Sequence, residues 1–164
     1  MVWPHSHTYG KKYFQEIEPI WLAMTKALVE DITDAHIDGF ARFYDDQTIV
    51  TVPKKDFANL YEGIKMSDYR RLTQVSNAAG KHYKIKELPL TKYNVKGLDY
   101  QGSYINYYLG NGVALLPVYG DPNDQVAEKR LAAWYPDRRV VPINVSKLYR
   151  HGGMIHCVIQ QQPR

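Results

Sequence analysis

Apolar and polar positions alternate along this chain with two different periods, and the switches between them mark out its elements. Residues 11–30 carry Phe14, Ile17, Trp21, Met24 and Leu28 at spacings of three and four, an apolar stripe that predicts a helix. Pro19 lies inside it and marks either the start of the regular helix or a bend. Residues 37–44 and 48–52 read as two strands about the turn Asp45-Asp46-Gln47. Residues 56–79 predict a long amphipathic helix, with Leu60, Ile64, Leu72 and Val75 on or near one face and Gly80 at its end. Residues 83–88 alternate as a strand does, and Pro89 closes them.

The same order then recurs. Residues 103–109 and 113–119 are two strands about Gly110-Asn111-Gly112, a hairpin signal. Asp121-Pro122-Asn123-Asp124 opens a helix that runs to about Trp134, with Asp121 and Asp124 read as turn and N-cap residues. A strand at 139–143 follows. Strand, strand, helix, strand thus appears twice, with starts about 65 residues apart. A third copy is split between the ends: a strand at 155–161, a short one at 1–3 and the helix at 11–30. A chain whose ends complete one repeat closes a ring. The expectation is one α/β domain over residues 1–164, built from about three ββαβ units.

Composition changes this picture little. A hydrophobic content of 45% can supply a core. No apolar run approaches the roughly 18 residues of a membrane helix, and the N-terminus lacks a signal-peptide pattern. With a single cysteine, these features predict a soluble cytoplasmic protein with no membrane partner. The net charge of +4 is modest and spread out, which argues against a nucleic-acid partner. Basic and aromatic residues do interleave at Lys81, His82, Tyr83, Lys84 and Lys86, near Arg70 and Arg71, but that stretch reads as a solvated strand face. Fourteen tyrosines suit strands and partly wet interfaces.

The chemistry-bearing residues lie far apart. Cys157, the only cysteine, sits in Gly152-Gly153-Met154-Ile155-His156-Cys157 and has no intrachain disulfide partner, so any action it has is as a thiol. The Gly-Gly pair lets backbone come close to a ligand. Asp34, His36 and Asp38 place a histidine between carboxylates. Cysteine, histidine and acid are the minimum set for thiol nucleophilic chemistry. Taken singly, each has a plain structural reading: a free cysteine is ordinarily a small core residue, and an aspartate ordinarily a turn or cap. Their joint spacing is the signal. On a strand at 155–161, His156 would point away from Cys157, which gives it a structural role.

Together these segments resemble the agmatine deiminase and bacterial peptidyl-arginine deiminase family of the pentein, or guanidino-group-modifying, superfamily. The stretches that carry the resemblance are Trp3-Pro4-His5, residues 18–21, 33–43 and 106–111, Gly120-Asp121-Pro122-Asn123-Asp124, and 153–163. The resemblance implies a pentein-type α/β propeller, here of about three units instead of five. The family's Trp-x-Arg-Asp and Glu-Gly-Gly motifs have no counterpart, as though the chain passed directly from the family's start to the histidine motif. By the same resemblance Cys157 is the nucleophile and His36 the acid/base. Asp38 holds the guanidinium or orients the histidine, and Asp34, Gly152 and Gly153 line the substrate. A small cationic guanidine is the implied substrate, and no cofactor or metal is needed. With two family carboxylates missing, turnover is expected to be weakened, and a catalytically silent binding or assembly module is the alternative. A ring short of units also predicts a homo-oligomer, a dimer in the first instance.

Overall fold

The structure, a computed structural model, describes residues 37–58, 60, 64–77 and 79–160. Apart from Gln160, these belong to one compact unit, Ala35–Ile159. The helix expected at 11–30 and the strand expected at 1–3 lie outside the described residues.

Both ββαβ units are present. In the first, β1 (Ala41–Asp45) pairs antiparallel with β2 (Thr48–Thr51), with Ala41 opposite Thr51 and Phe43 opposite Ile49. Two short helices follow, α1 (Lys54–Phe57) and α2 (Met66–Gln74). β3 (Lys84–Glu87) then returns parallel to β2. The sheet order β1-β2-β3 puts β2 in the centre, and all four residues of Thr48-Ile49-Val50-Thr51 are buried. A fully β-branched segment suits a central strand covered on both faces.

The second unit repeats this arrangement. β6 (Tyr108–Gly110) pairs antiparallel with β7 (Val113–Val118), α3 (Asp124–Trp134) crosses over, and β8 (Arg139–Asn144) lies parallel to β7. Ala127 and Leu131, four residues apart on α3, are both fully buried. Pro142 sits on β8 at the end of the three-strand order, where a missing N–H is tolerated. Between the units, β4 (Leu90–Asn94) and β5 (Gln101–Ser103) form an antiparallel pair. α4 (Ser146–Tyr149) follows β8.

Three expectations need correction. The helix expected at 56–79 is reduced to α1 and α2. Val75 leaves helical geometry at ψ 148°, and Thr73 spends its hydroxyl on the Tyr69 carbonyl (3.0 Å). The strand expected at 103–109 is two short strands separated by Tyr104, Ile105, Asn106 and Tyr107, all four fully buried. This segment runs as a core-filling connection between β5 (Gln101–Ser103) and β6 (Tyr108–Gly110). The strand expected at 155–161 does not form. Met154 and Ile155 are buried in succession, and His156–Val158 is a 3-10 turn. Among the described residues there are two ββαβ units, and the C-terminal strand that was to help complete a third is not one of their elements. No described helix is long and apolar enough to cross a membrane.

Candidate active site

Asp38 lies in the 3-10 turn Ile37–Gly39 that leads into β1. Two buried hydroxyls fix this entry. Ser103 Oγ donates to the Gly39 carbonyl (2.5 Å), and Thr51 Oγ1 donates to the Phe40 carbonyl (2.7 Å). The carboxylate is thus presented from a backbone anchored to the first sheet and to β5.

Cys157 is positioned from the opposite end of the chain. α4 stops at the Gly-Gly pair. Gly152 adopts φ +80°, its N–H bonds to the Tyr149 carbonyl (3.1 Å), and the Gly153 N–H reaches back to the Leu148 carbonyl (3.4 Å). These paired bonds form a Schellman C-cap, in which the left-handed position favours glycine. A side chain at Gly153 would meet Leu148 only at ordinary contact distance. The pair therefore acts first as a helix terminator. Beyond it Met154 and Ile155 bury their side chains, with Tyr119 Oη 3.3 Å from Met154 Sδ. The turn His156–Val158 then leaves the thiol exposed at the surface.

The two ends meet. Cys157 Sγ lies 3.9 Å from Asp38 Oδ2 across 119 positions of sequence. His156 is on the same side, with Nδ1 2.9 Å from the same Asp38 oxygen. That corrects the orientation expected for His156. In a strand, successive side chains alternate between faces, but in a 3-10 turn they are about a third of a turn apart and two neighbours can reach one group.

Asn106 joins the two ends and was missed as a site residue by sequence reasoning, although it opens one of the stretches that carry the family resemblance. Fully buried in the β5–β6 connection, it accepts from the His156 N–H through Oδ1 (2.7 Å). Its Nδ2 donates to the Asp38 carbonyl (3.3 Å) and lies 3.5 Å from Cys157 Sγ. His36 and Asp34 lie outside the described residues. Asp121 and Asp124 both hold the fold rather than a ligand, but the N-cap expected at Asp124 falls on Asn123, and Asp124 is the first residue of α3. The Asp121 carboxylate accepts from the N–H groups of Lys92 (2.8 Å), Tyr93 (3.1 Å) and Asn123 (2.8 Å), while Asp124 gathers those of the loop before α3.

Next to Asp38 opens a cavity of about 270 Å³, walled mainly by apolar side chains including Ile37, Phe43, Ile49 and Leu72, with Asp38 and Arg42 as its polar members. The Arg42 guanidinium is engaged by the Tyr107 ring (4.0 Å to its centroid) and donates to the Tyr107 carbonyl. Among the described residues Asp38 is the acidic group that lines that space, and it lies beside a thiol. Such an arrangement can bind a compact cation and present sulfur to it.

Known proteins carry the same frame. The family of Porphyromonas-type peptidyl-arginine deiminases matches residues 1–163. A curated relative from Latilactobacillus sakei, named as an agmatine deiminase, is 29% identical over 172 residues, covering 93% of this chain and 47% of its own length. The chain spans about half the length of the curated relatives it matches. Among solved structures, the agmatine deiminase of Enterococcus faecalis superposes with a TM-score of 0.68 at 26% identity, over 80% of this chain and 41% of that one. A structure from Porphyromonas gingivalis, named as an arginine deiminase, gives 0.69 at 31% identity, over 80% of this chain and 39% of that one. The repeated ββαβ frame and the match along nearly the whole sequence agree, and the chain belongs to the Porphyromonas-type peptidyl-arginine deiminase family.

Proposed function

We propose that this chain deiminates a guanidino group, hydrolysing one C–N bond to give a ureido product and ammonia through a covalent cysteine adduct. The observation that carries the reading is the approach of Cys157 Sγ to Asp38 Oδ2 (3.9 Å), Asp38 being a lining residue of a cavity otherwise largely apolar. A guanidinium is planar, cationic and a poor electrophile, so it must be held before it is attacked. Carboxylates hold it by charge-assisted hydrogen bonds. Asp38 already takes one N–H donor at this point, the His156 ring, and a guanidinium would take its place there.

The steps follow from that placement. The Cys157 thiolate adds to the central guanidinium carbon and forms a C–S bond. The tetrahedral adduct collapses, its C–N bond breaks, and His36 supplies the proton with which ammonia leaves. His36 then takes a proton from water as the water oxygen attacks the same carbon. The C–S bond breaks, sulfur departs with its electron pair, and the ureido product is released. Asp34, Gly152 and Gly153 belong to the substrate side of this reading. With the family's other two carboxylates without counterpart, one acid does the work of several, and turnover of agmatine by the isolated chain is expected to be slow.

The test is release of ammonia and ureido product from agmatine and from an arginyl peptide. Cys157→Ala should abolish turnover, and His36→Ala should lower it at least about a hundredfold. Turnover that survives Cys157→Ala would reject the nucleophile. Saturable guanidine binding with no product at any enzyme concentration would point to the silent binding module.

A further inference from the structure

We infer that Asn106 is a positioning residue for the thiol: it orients Cys157 against Asp38 and holds an N–H donor at the sulfur. The inference deepens the deiminase reading and rests on it for its catalytic meaning.

The chemistry of the amide fixes its orientation. Its neighbour at 2.7 Å is the backbone N–H of His156, a group that can only donate, so the Asn106 oxygen must face it. The NH₂ group then faces the other way, where it has two N–H bonds to give. One meets the Asp38 carbonyl at 3.3 Å, and the other points to Cys157 Sγ at 3.5 Å. The Asn106 side chain is fully buried, although the thiol it faces is exposed.

Two consequences follow. First, one side chain ties the turn that carries Asp38 to the turn that carries Cys157, at separations of 68 and 51 positions, and so sets the spacing of sulfur and carboxylate. Second, the N–H donor offsets the carboxylate. Among the described residues, the titratable groups at the sulfur are Asp38, from the turn before β1, and His156, on the thiol's own turn and bonded to Asp38. A carboxylate beside a thiol disfavours the thiolate, whereas an N–H donor favours it. The Asn106 amide supplies that donor.

The substitution Asn106→Asp removes the donor and its bond to the Asp38 carbonyl but keeps the half of the tie that runs to His156. It keeps an acceptor for the His156 N–H and puts oxygen where the NH₂ group stood. Iodoacetamide alkylation of Cys157, followed across pH, reads the result. Asn106→Asp is expected to keep the wild-type circular dichroism yet to slow alkylation at neutral pH about tenfold, with the rate regained as pH is raised. Asn106→Ala, which removes the whole tie and the donor without adding a carboxylate, should slow it as well. A folded Asn106→Asp protein with the wild-type pH profile overturns the inference. So does loss of folding in both variants, which would make the amide a structural tie alone. Alkylation needs no guanidine turnover. A wild-type chain without deiminase activity would therefore reject the function proposed above while leaving this measurement to decide the role of Asn106.

Discussion

Gly152 shows how a single backbone angle places a reactive atom. At φ +80° an L side chain is strained, while nothing lies within 4 Å of where its Cβ would stand. Replacing it by alanine therefore carries a purely conformational cost, about 1 kcal/mol, with no clash to add. Gly152→Ala should lower the midpoint of urea unfolding accordingly with an unchanged slope. A cost near zero would mean that the end of α4 re-forms without the left-handed residue. The sequence displayed the glycine pair before the cysteine, and with it the suggestion of close backbone approach. The conformational reason was not visible, because the C-cap exists only once α4 is known to end at Tyr149. His156 was misread for a related reason. Its side-chain direction depends on whether residues 156–158 form a strand or a 3-10 turn, and the burial of both Met154 and Ile155 that decides this is a tertiary fact. Asn106 had no mark of its own beyond opening a stretch that carries the family resemblance, since its partners lie 50 or more positions away.

At the scale of elements, the parts that the sequence made legible are those whose burial is periodic. β1, β2, β3, β7, α3 and β8 fall within a few residues of where alternation and helical spacing put them. The segment 104–107 did not, because Tyr-Ile-Asn-Tyr has no period from which to tell strand from buried connection. α3 also shows why its start is sharp. Asp124 Oδ1 accepts from Tyr104 Oη (2.7 Å) and from the Tyr119 N–H (3.1 Å), and Oδ2 accepts from the N–H groups of Gly120 (2.8 Å) and Asp121 (2.9 Å). One carboxylate thus closes the loop between β7 and α3 and satisfies a buried phenol, beside the positive end of the helix. Asp124→Ala would leave the Tyr104 hydroxyl without its acceptor and three N–H groups without this partner. The expected loss is about 3 kcal/mol, measured by denaturant unfolding. Asp124→Asn, which retains one acceptor, should lose less. Equal losses would mean that charge, rather than the acceptor count, holds the loop.

At the scale of the molecule, the two ββαβ units are joined by an aromatic seam, and the seam predicts how the fold responds to alkali. Tyr44 on β1 donates to the Trp134 carbonyl at the end of α3 (2.7 Å), and its ring lies 5.1 Å from that of Tyr135. Tyr135 and Tyr107 share a hydrogen bond between hydroxyls (2.9 Å), while Lys86 of β3 sits over the Tyr44 ring (3.6 Å). The seam therefore links β1 and β3 of one unit to α3 and the β6 approach of the other. Burial pushes the phenols of Tyr104, Tyr107 and Tyr135 above the ordinary tyrosine value of 10.0, with the Asp124 bond adding to Tyr104 and the bond to Tyr107 adding to Tyr135. For Tyr107 the Arg42 guanidinium opposes the shift without reversing it. A folded-state pKa raised above the unfolded one stabilises the fold fully below the unfolded value and is lost as pH rises toward the folded one. Stability should thus be insensitive to these groups up to about pH 9 and fall above pH 10, as the unfolded chain sheds phenolic protons that the folded chain retains. Each such tyrosine steepens the fall by about 1.4 kcal/mol per pH unit. Urea midpoints measured from pH 8 to 11 will show it, and Tyr107→Phe should make the slope shallower. A Tyr107→Phe protein with the parent slope would mean that this phenol ionises within the fold, and that the seam between the units opens to water before the chain unfolds.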